Sequence, residues 1–230
     1  DKSSMSLYAT ECKISNIFVP DSSLNFDLDH SSLQVKGNLF SGDLMLDSKI
    51  NTLNSDRTQN SKVKVIAKSR SLKSLLGIFA SHNILDQSLE GVMDAELNVD
   101  FNPYAFENLS ANLNINQFVF SRDDFNVKAK KLGRVISINK GYIDQFAIEV
   151  EGSGNSLIIN GSGRLNQNLL ISGKSKIDAS MSELVTNKIA DVKGFFDSKF
   201  NLNWTKSRFS NFVEASGENI SFLYKEHSLN

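Results

Sequence analysis

The residues able to do chemistry are few and scattered. The 230-residue chain holds three histidines, His30, His82 and His227, and one cysteine, Cys12. No histidine has a second nitrogen or sulfur ligand at the short spacing of a tetrahedral zinc site. Asp27 and Asp29 lie just ahead of His30, and carboxylates at i and i+2 of a strand can reach one cation together. The same pattern is the ordinary solvated face of a strand, and that reading is preferred. Gly152-Ser153-Gly154 and Gly161-Ser162-Gly163 resemble phosphate loops only in glycine content, because neither opens a helix or ends in Lys-Ser or Lys-Thr. There is no Gly-x-Ser-x-Gly elbow and no Cys/His pair. Lys128-Ala129-Lys130-Lys131 reads as a solvated turn, and Trp204 as a half-buried or edge residue. The chain is therefore read as non-enzymatic, with no cofactor and no metal.

Composition narrows the classes further. A formal net charge of −1 gives no electrostatic footing for nucleic acid or an anionic membrane surface. Two prolines and 22% charged residues are not the signature of disorder. No apolar run approaches the roughly 20 residues of a membrane-spanning helix. The chain begins at Asp1 without an initiating methionine, so it is read as a piece of a longer protein whose anchor and targeting signals lie outside it. A single cysteine excludes an internal disulfide, and its alternation with Ile14 makes Cys12 a small buried apolar residue.

What would position any functional group is an alternation of period two. Phe146, Ile148 and Val150 alternate with polar neighbours, as do Leu157, Ile159, Gly161 and Gly163, then Leu169, Ile171, Gly173, Ser175 and Ile177. Each such run gives a strand one apolar and one polar face. Gly152-Ser-Gly154-Asn155 and Asn166-Gln-Asn168 supply the reversals. Earlier runs repeat the pattern: Leu24 to Leu28, Leu33 to Leu39, Leu44 to Ile50, Val63 to Ala67, Leu89 to Val99, Leu109 to Ile115, and Phe118-Phe120 turning into Phe125-Val127. Two stretches change period. Leu72, Leu75, Leu76 and Phe79 predict a short helix behind Ser71, and Ser180-Met-Ser-Glu183 predicts a second, reaching Ile189. Val192 to Leu202 is again a strand. The final run slips phase between Gly217 and Ile220, which predicts a bulge near Glu218-Asn219.

The signals recur at an offset of roughly 103 residues, Gly91 matching Gly194, Leu97 matching Phe200 and Leu109 matching Phe212. The chain is read as one continuous all-β segment, with two short helices and two repeated units, about 24–127 and 136–222. Such a one-sided antiparallel sheet must cover its apolar face with another sheet, with helices or with a ligand. Two short helices are too small, which leaves a closed sandwich or a curled groove.

From Ile143 to Phe222 the order of signals resembles the repeating β-rich body of the TamB and AsmA-like proteins of Gram-negative envelopes. The resemblance rests on residues 152–165 (GSGNSLIINGSGRL), then Leu169-Leu-Ile-Ser-Gly173, the leucine-bearing segment Ser180 to Ile189, Val192-Lys-Gly194 and Ala215-Ser-Gly217. It implies an elongated curved sheet, a β-taco with an apolar interior. It also implies a periplasmic location in an inner-membrane-anchored protein that carries phospholipid toward the outer membrane and supports envelope biogenesis. An outer-membrane barrel protein of the assembly machinery is an implied partner, through parts outside this chain. Phospholipid acyl chains would then meet Leu33 and Val35, Met93, Leu97 and Val99, Leu113 and Ile115, Phe146 and Ile148, Leu157 and Ile159, Ile171, and Phe196, Phe200 and Leu202. The alternative is a closed structural module that binds assembly partners through its strand edges.

Overall fold

The structure, a computed structural model, describes residues 2–14, 17–51, 57–69, 89–122, 125–165, 167–184 and 189–224. The alternating runs become strands β1 (Ser3–Ala9), β2 (Cys12–Ile14), β3 (Ile17–Val19), β4 (Ser22–Leu28), β5 (Ser32–Leu39), β6 (Leu44–Asn51), β7 (Ser61–Ser69) and β8 (Leu89–Asn102). They continue as β9 (Ala105–Arg122), β10 (Phe125–Ala129), β11 (Gly133–Asn139), β12 (Tyr142–Gly152), β13 (Asn155–Arg164), β14 (Asn168–Asp178), β15 (Ile189–Thr205) and β16 (Phe209–Tyr224). The protein is all-β. Strands β2 and β3 form a separate hairpin, and the other 14 make one antiparallel sheet that follows chain order. Strand β11 prolongs β10, so that both pair with β9 on one side and β12 on the other.

Register carries the two faces across the whole sheet. One row reads Phe26, Val35, Ser48, Val63, Val99 and Ala111, and the adjacent row Asn25, Lys36, Asp47, Lys64, Asn98 and Asn112. In the C-terminal half, Ile148, Ile159, Gly173, Phe200 and Val213 stand beside Glu149, Ile158, Lys174, Lys199 and Glu214. The inner face is thus largely apolar and the outer face largely polar. On the outer face Lys64 Nζ lies 3.1 Å from Glu96 Oε1, and Lys130 bridges Glu151 at 3.3 Å and Glu149 at 3.7 Å. The Asn98 amide, with Lys64 behind it, holds the Glu96 carboxyl below its usual range, and Glu151 raises the Lys130 ammonium. The lysine cluster of the sequence is therefore tied to strand carboxylates of β12.

Bulges keep the faces in phase. Asp94 is opposite Gln117 while Ala95 is opposite Ile115, which leaves Asn116 as an extra residue. The runs Leu109 to Ile115 and Phe118-Phe120 are consequently one 18-residue strand, not two. The bulge expected near Glu218-Asn219 is present: Phe195 faces Glu218 and Lys193 faces Ser221. Asn219 has φ 52 there, and Gly194 opposite it has φ 101 with no room for a Cβ against the Glu218 and Asn219 carbonyls. Ser153 and Gly154, at φ 46 and 77, form the two-residue turn that Gly152-Asn155 foretold.

Two expectations change, and a third is not described. The helix at Ser71 to Phe79 lies outside the described residues. The second helix is a 3-10 turn, Ala179–Leu184. The Asp178 carboxylate accepts the Ser180 N–H at 2.9 Å, and the Ser182 hydroxyl donates to the Ala179 carbonyl at 2.6 Å. The first is the capping bond that any helical first turn accepts, and the second engages the Ala179 carbonyl locally. Finally, Leu109 is buried on the inner face, whereas Phe212 faces Asn201 on the outer one. The two-residue turns at 103–104 and 206–207 coincide at this offset, but between the Asp100–Ser110 and Asn102–Ala105 pairs β9 has three residues more than β8, so the repeats do not superpose residue for residue there.

Asp29, a possible ion ligand by spacing, closes the β4–β5 turn instead. Its Oδ1 accepts the backbone N–H of Ser31 at 2.7 Å and of Ser32 at 2.6 Å, and these donors lower its pKa from 3.8 to about 2. A depressed carboxylate stabilises the fold fully above its unfolded value and loses that contribution as pH falls through the folded one. Carboxyl NMR titration of the folded chain should therefore place Asp29 near 2. Asp29→Ala should speed amide exchange at Ser31 and Ser32 at neutral pH and remove the change between pH 4 and 2.

Candidate functional site

All of the candidate residues fall on the inner face, by the registers given above. Val35 and Phe146 are buried, and Phe196 is 44% exposed. Leu33, Met93, Leu97, Val99, Leu113, Ile115, Ile148, Leu157, Ile159, Ile171, Phe200 and Leu202 are all half-buried. In a packed sandwich these mid-sheet positions would be sealed by the facing layer.

One packed cluster on the inner face joins strands that are not neighbours. Phe120 and Val127 are buried together, with Met93, Phe118, Val150 and Met181 packed around them. Met181 comes from the 3-10 turn after β14, so this turn reaches back over β13 and β12 to cover β10 and β9. The Phe120-Val127 hairpin was visible in the sequence as a strand pair. Its role as the packed centre was not, because the covering residue Met181 comes from four strands away.

The face is not uniformly greasy. Ser48, Ser61 and Ser69 are buried on its β6–β7 part. The Ser61 hydroxyl accepts the Asn51 N–H at 2.9 Å, and the Ser48 hydroxyl donates to the Val35 carbonyl at 3.4 Å. Ser175 and Ser198 share a hydrogen bond of 2.8 Å. These hydroxyls are used within the sheet, so they offer a passing ligand little polarity. Toward the last strand the face stays apolar and opens further, with Trp204 46% and Val213 68% exposed.

Among the described residues no group of three or more His, Cys, Asp or Glu could hold a metal ion. Hollows between strands have mixed polar and apolar linings, such as the one bounded by Lys36, Asp47, Met45 and Ile66. What the arrangement can do is present a continuous apolar surface. Its 13 strand positions are separated by 12 spacings of about 4.8 Å, so that surface runs about 58 Å.

The packed and open parts of the face should respond differently to truncation. Met181→Ala should lower unfolding stability by about 1–2 kcal/mol, below the range for fully buried methionines because Met181 is half-buried. Phe196→Ala should change it by less than about 0.5 kcal/mol. Urea denaturation of the two variants checks this, and equal losses would mean that the region around Phe196 is core as well.

No family model, curated protein or solved structure matches this chain.

Proposed function

We propose that the chain is a segment of a periplasmic bridge that carries phospholipid between the inner and outer membranes, its acyl chains lying in a trough formed by the inner face. The observation that carries the reading is the half-buried state of the inner-face residues from Leu33 to Leu202 in a sheet without a second layer among the described residues. Covering 100 Å² of such apolar surface is worth about 2.5 kcal/mol, so an occupant is strongly favoured. Acyl chains suit a surface that is long, apolar and short of free hydrogen-bonding groups. The reading includes no catalysis. It takes phospholipid as cargo, and it takes contact with an outer-membrane barrel protein as the work of other parts of the longer protein.

A second reading has its own observation. Strand β16 is an edge of 16 residues, with Phe209, Phe212, Val213, Phe222 and Leu223 exposed. It has no proline, and edges of this kind accept an added strand. A structural module recruiting envelope partners by strand addition would use that edge.

Photo-crosslinking in cells separates the two. A probe at Leu97, on the inner face, should give phospholipid adducts, and a probe at Glu96, on the outer face beside Lys64, should give none. Lipid at neither position, with protein adducts from probes on β16, would sink the conduit and leave the strand-addition module. Leu97→Asp should abolish lipid adducts at neighbouring inner-face probes while the β spectrum of the purified chain is retained.

A further inference from the structure

Two large rings on the inner face do not stand up from the sheet. Strand side chains normally project roughly perpendicular to it. Phe146 of β12 instead lies across Gly161 of β13, and Phe200 of β15 lies across Gly173 of β14. A Cβ at Gly161 would fall on Cε1 and Cζ of Phe146, and one at Gly173 on Cε1 and Cζ of Phe200. The two rings lean toward each other from opposite sides, in adjacent rows, and pave the floor over β13 and β14. Any residue larger than glycine at either position would force its ring upward.

A floor of this shape has a consequence for what it accepts. Sheets that pack face to face lie about 10 Å apart, and side chains standing off both sheets fill that space. Rings lying flat lower the floor in their two rows, beside Ile171 opposite Gly161 and Ile159 opposite Gly173, and leave a furrow that a second sheet would have to fill with its own standing side chains. A furrow of this kind suits a long slender apolar body.

We infer that Gly161 and Gly173 are positioning residues that set the depth of the trough over β12 to β15, holding Phe146 and Phe200 down so that a hydrocarbon chain fits above them. Phe200 is the more telling of the two, since it is half-exposed whereas Phe146 is already covered. This inference rests on the lipid-carrying reading and assigns its acyl-chain contact to particular residues.

The test uses the purified 230-residue chain. It is incubated with vesicles of phosphatidylethanolamine and phosphatidylglycerol that contain phosphatidylethanolamine with a photoactivatable acyl chain, and adducts are mapped to peptides of β12 to β15. The unaltered chain should give adducts there. Gly173→Ala should lower their yield about tenfold, the scale on which one methylene alters an apolar pocket. Gly173→Ala combined with Phe200→Ala should restore it, because the raised ring is gone. The added methyl would also lie 3.1 Å from the Ile158 carbonyl oxygen. A double variant as poor as Gly173→Ala would therefore trace the loss to that backbone contact and overturn the inference. If Gly173→Ala fails to fold, Phe200→Ile makes the same test with glycine retained, since its branched side chain is too short and stiff to lie across Gly173. It too should lower the yield, and an undiminished yield in either folded variant overturns the floor role while the lipid reading stands. No adduct with the unaltered chain overturns both.

Discussion

Backbone pairing decides everything else in this protein, because in a strand the choice of register is also the choice of face. A slip of one residue would turn every apolar side chain of a strand to the polar side. The sheet guards against that slip in two ways. On the outer face, residues of opposite charge stand opposite one another in register, Lys36 with Asp47 and Lys68 with Asp94, and Lys64 of β7 pairs with Glu96 of β8 at 3.1 Å. Where the sequence itself changes phase, an extra residue is expelled from the ladder. That happens at Asn116, between Ile143 and Phe146, and after Glu218, and in each case apolar residues on both sides of the bulge remain on the inner face. The bulges are therefore what makes the inner face continuous across strands whose sequences are out of step.

Cohesion follows from the same arrangement. Each strand in the main sheet is held chiefly by the neighbours on its two edges, and among the described residues one buried apolar cluster, the one under Met181, joins distant strands. Stability of this kind is close to a sum of nearest-neighbour terms, with the outermost strands the first to open. The outermost strands here are β1 and β16, and they carry the most exposed apolar residues, Tyr8 and Val213 among them. Nothing in this scheme requires a sealed interior. A sheet whose register is set by its outer face can leave its inner face open without losing its fold.

Much of this was legible from the sequence, and the reasons it stopped being so are physical. Alternation of period two identified the strands, and glycine-serine-glycine placed the tight turn at Ser153-Gly154. The phase slip after Gly217 located a bulge because apolar residues continued on both sides of it. The equivalent slip at Asn116 was read as a break between strands, since Asn116-Gln117 looks like turn chemistry and only pairing with β8 shows the ladder running through it. The spacing of Ser180 and Glu183 suggested a capped helix, but Asp178 and Ser182 spend their side chains on a tighter turn. For the inner-face glycines, close packing and room for a ligand were equally compatible with the sequence. Which ring lies over which glycine depends on the partner strand, and that is a property of register alone.

The choice between a closed module and an open conduit turns on what can complete an apolar face about 58 Å long. A globular partner would cover part of it and leave the remainder wet. A second sheet could match the length, but it would need inner-face side chains that stand off and interlock, and over β12 to β15 the two phenylalanine rings lie flat on glycine. Buried serines add no counter-argument, because their hydroxyls are turned into the sheet's own hydrogen bonds and present no polar footholds. A hydrocarbon chain needs neither interlocking side chains nor polar footholds, and it can be replaced by the next chain without any strand changing its register. The open inner face, the flattened rings and the serines satisfied within the sheet are three separate features, and the proposed apolar cargo is compatible with each of them.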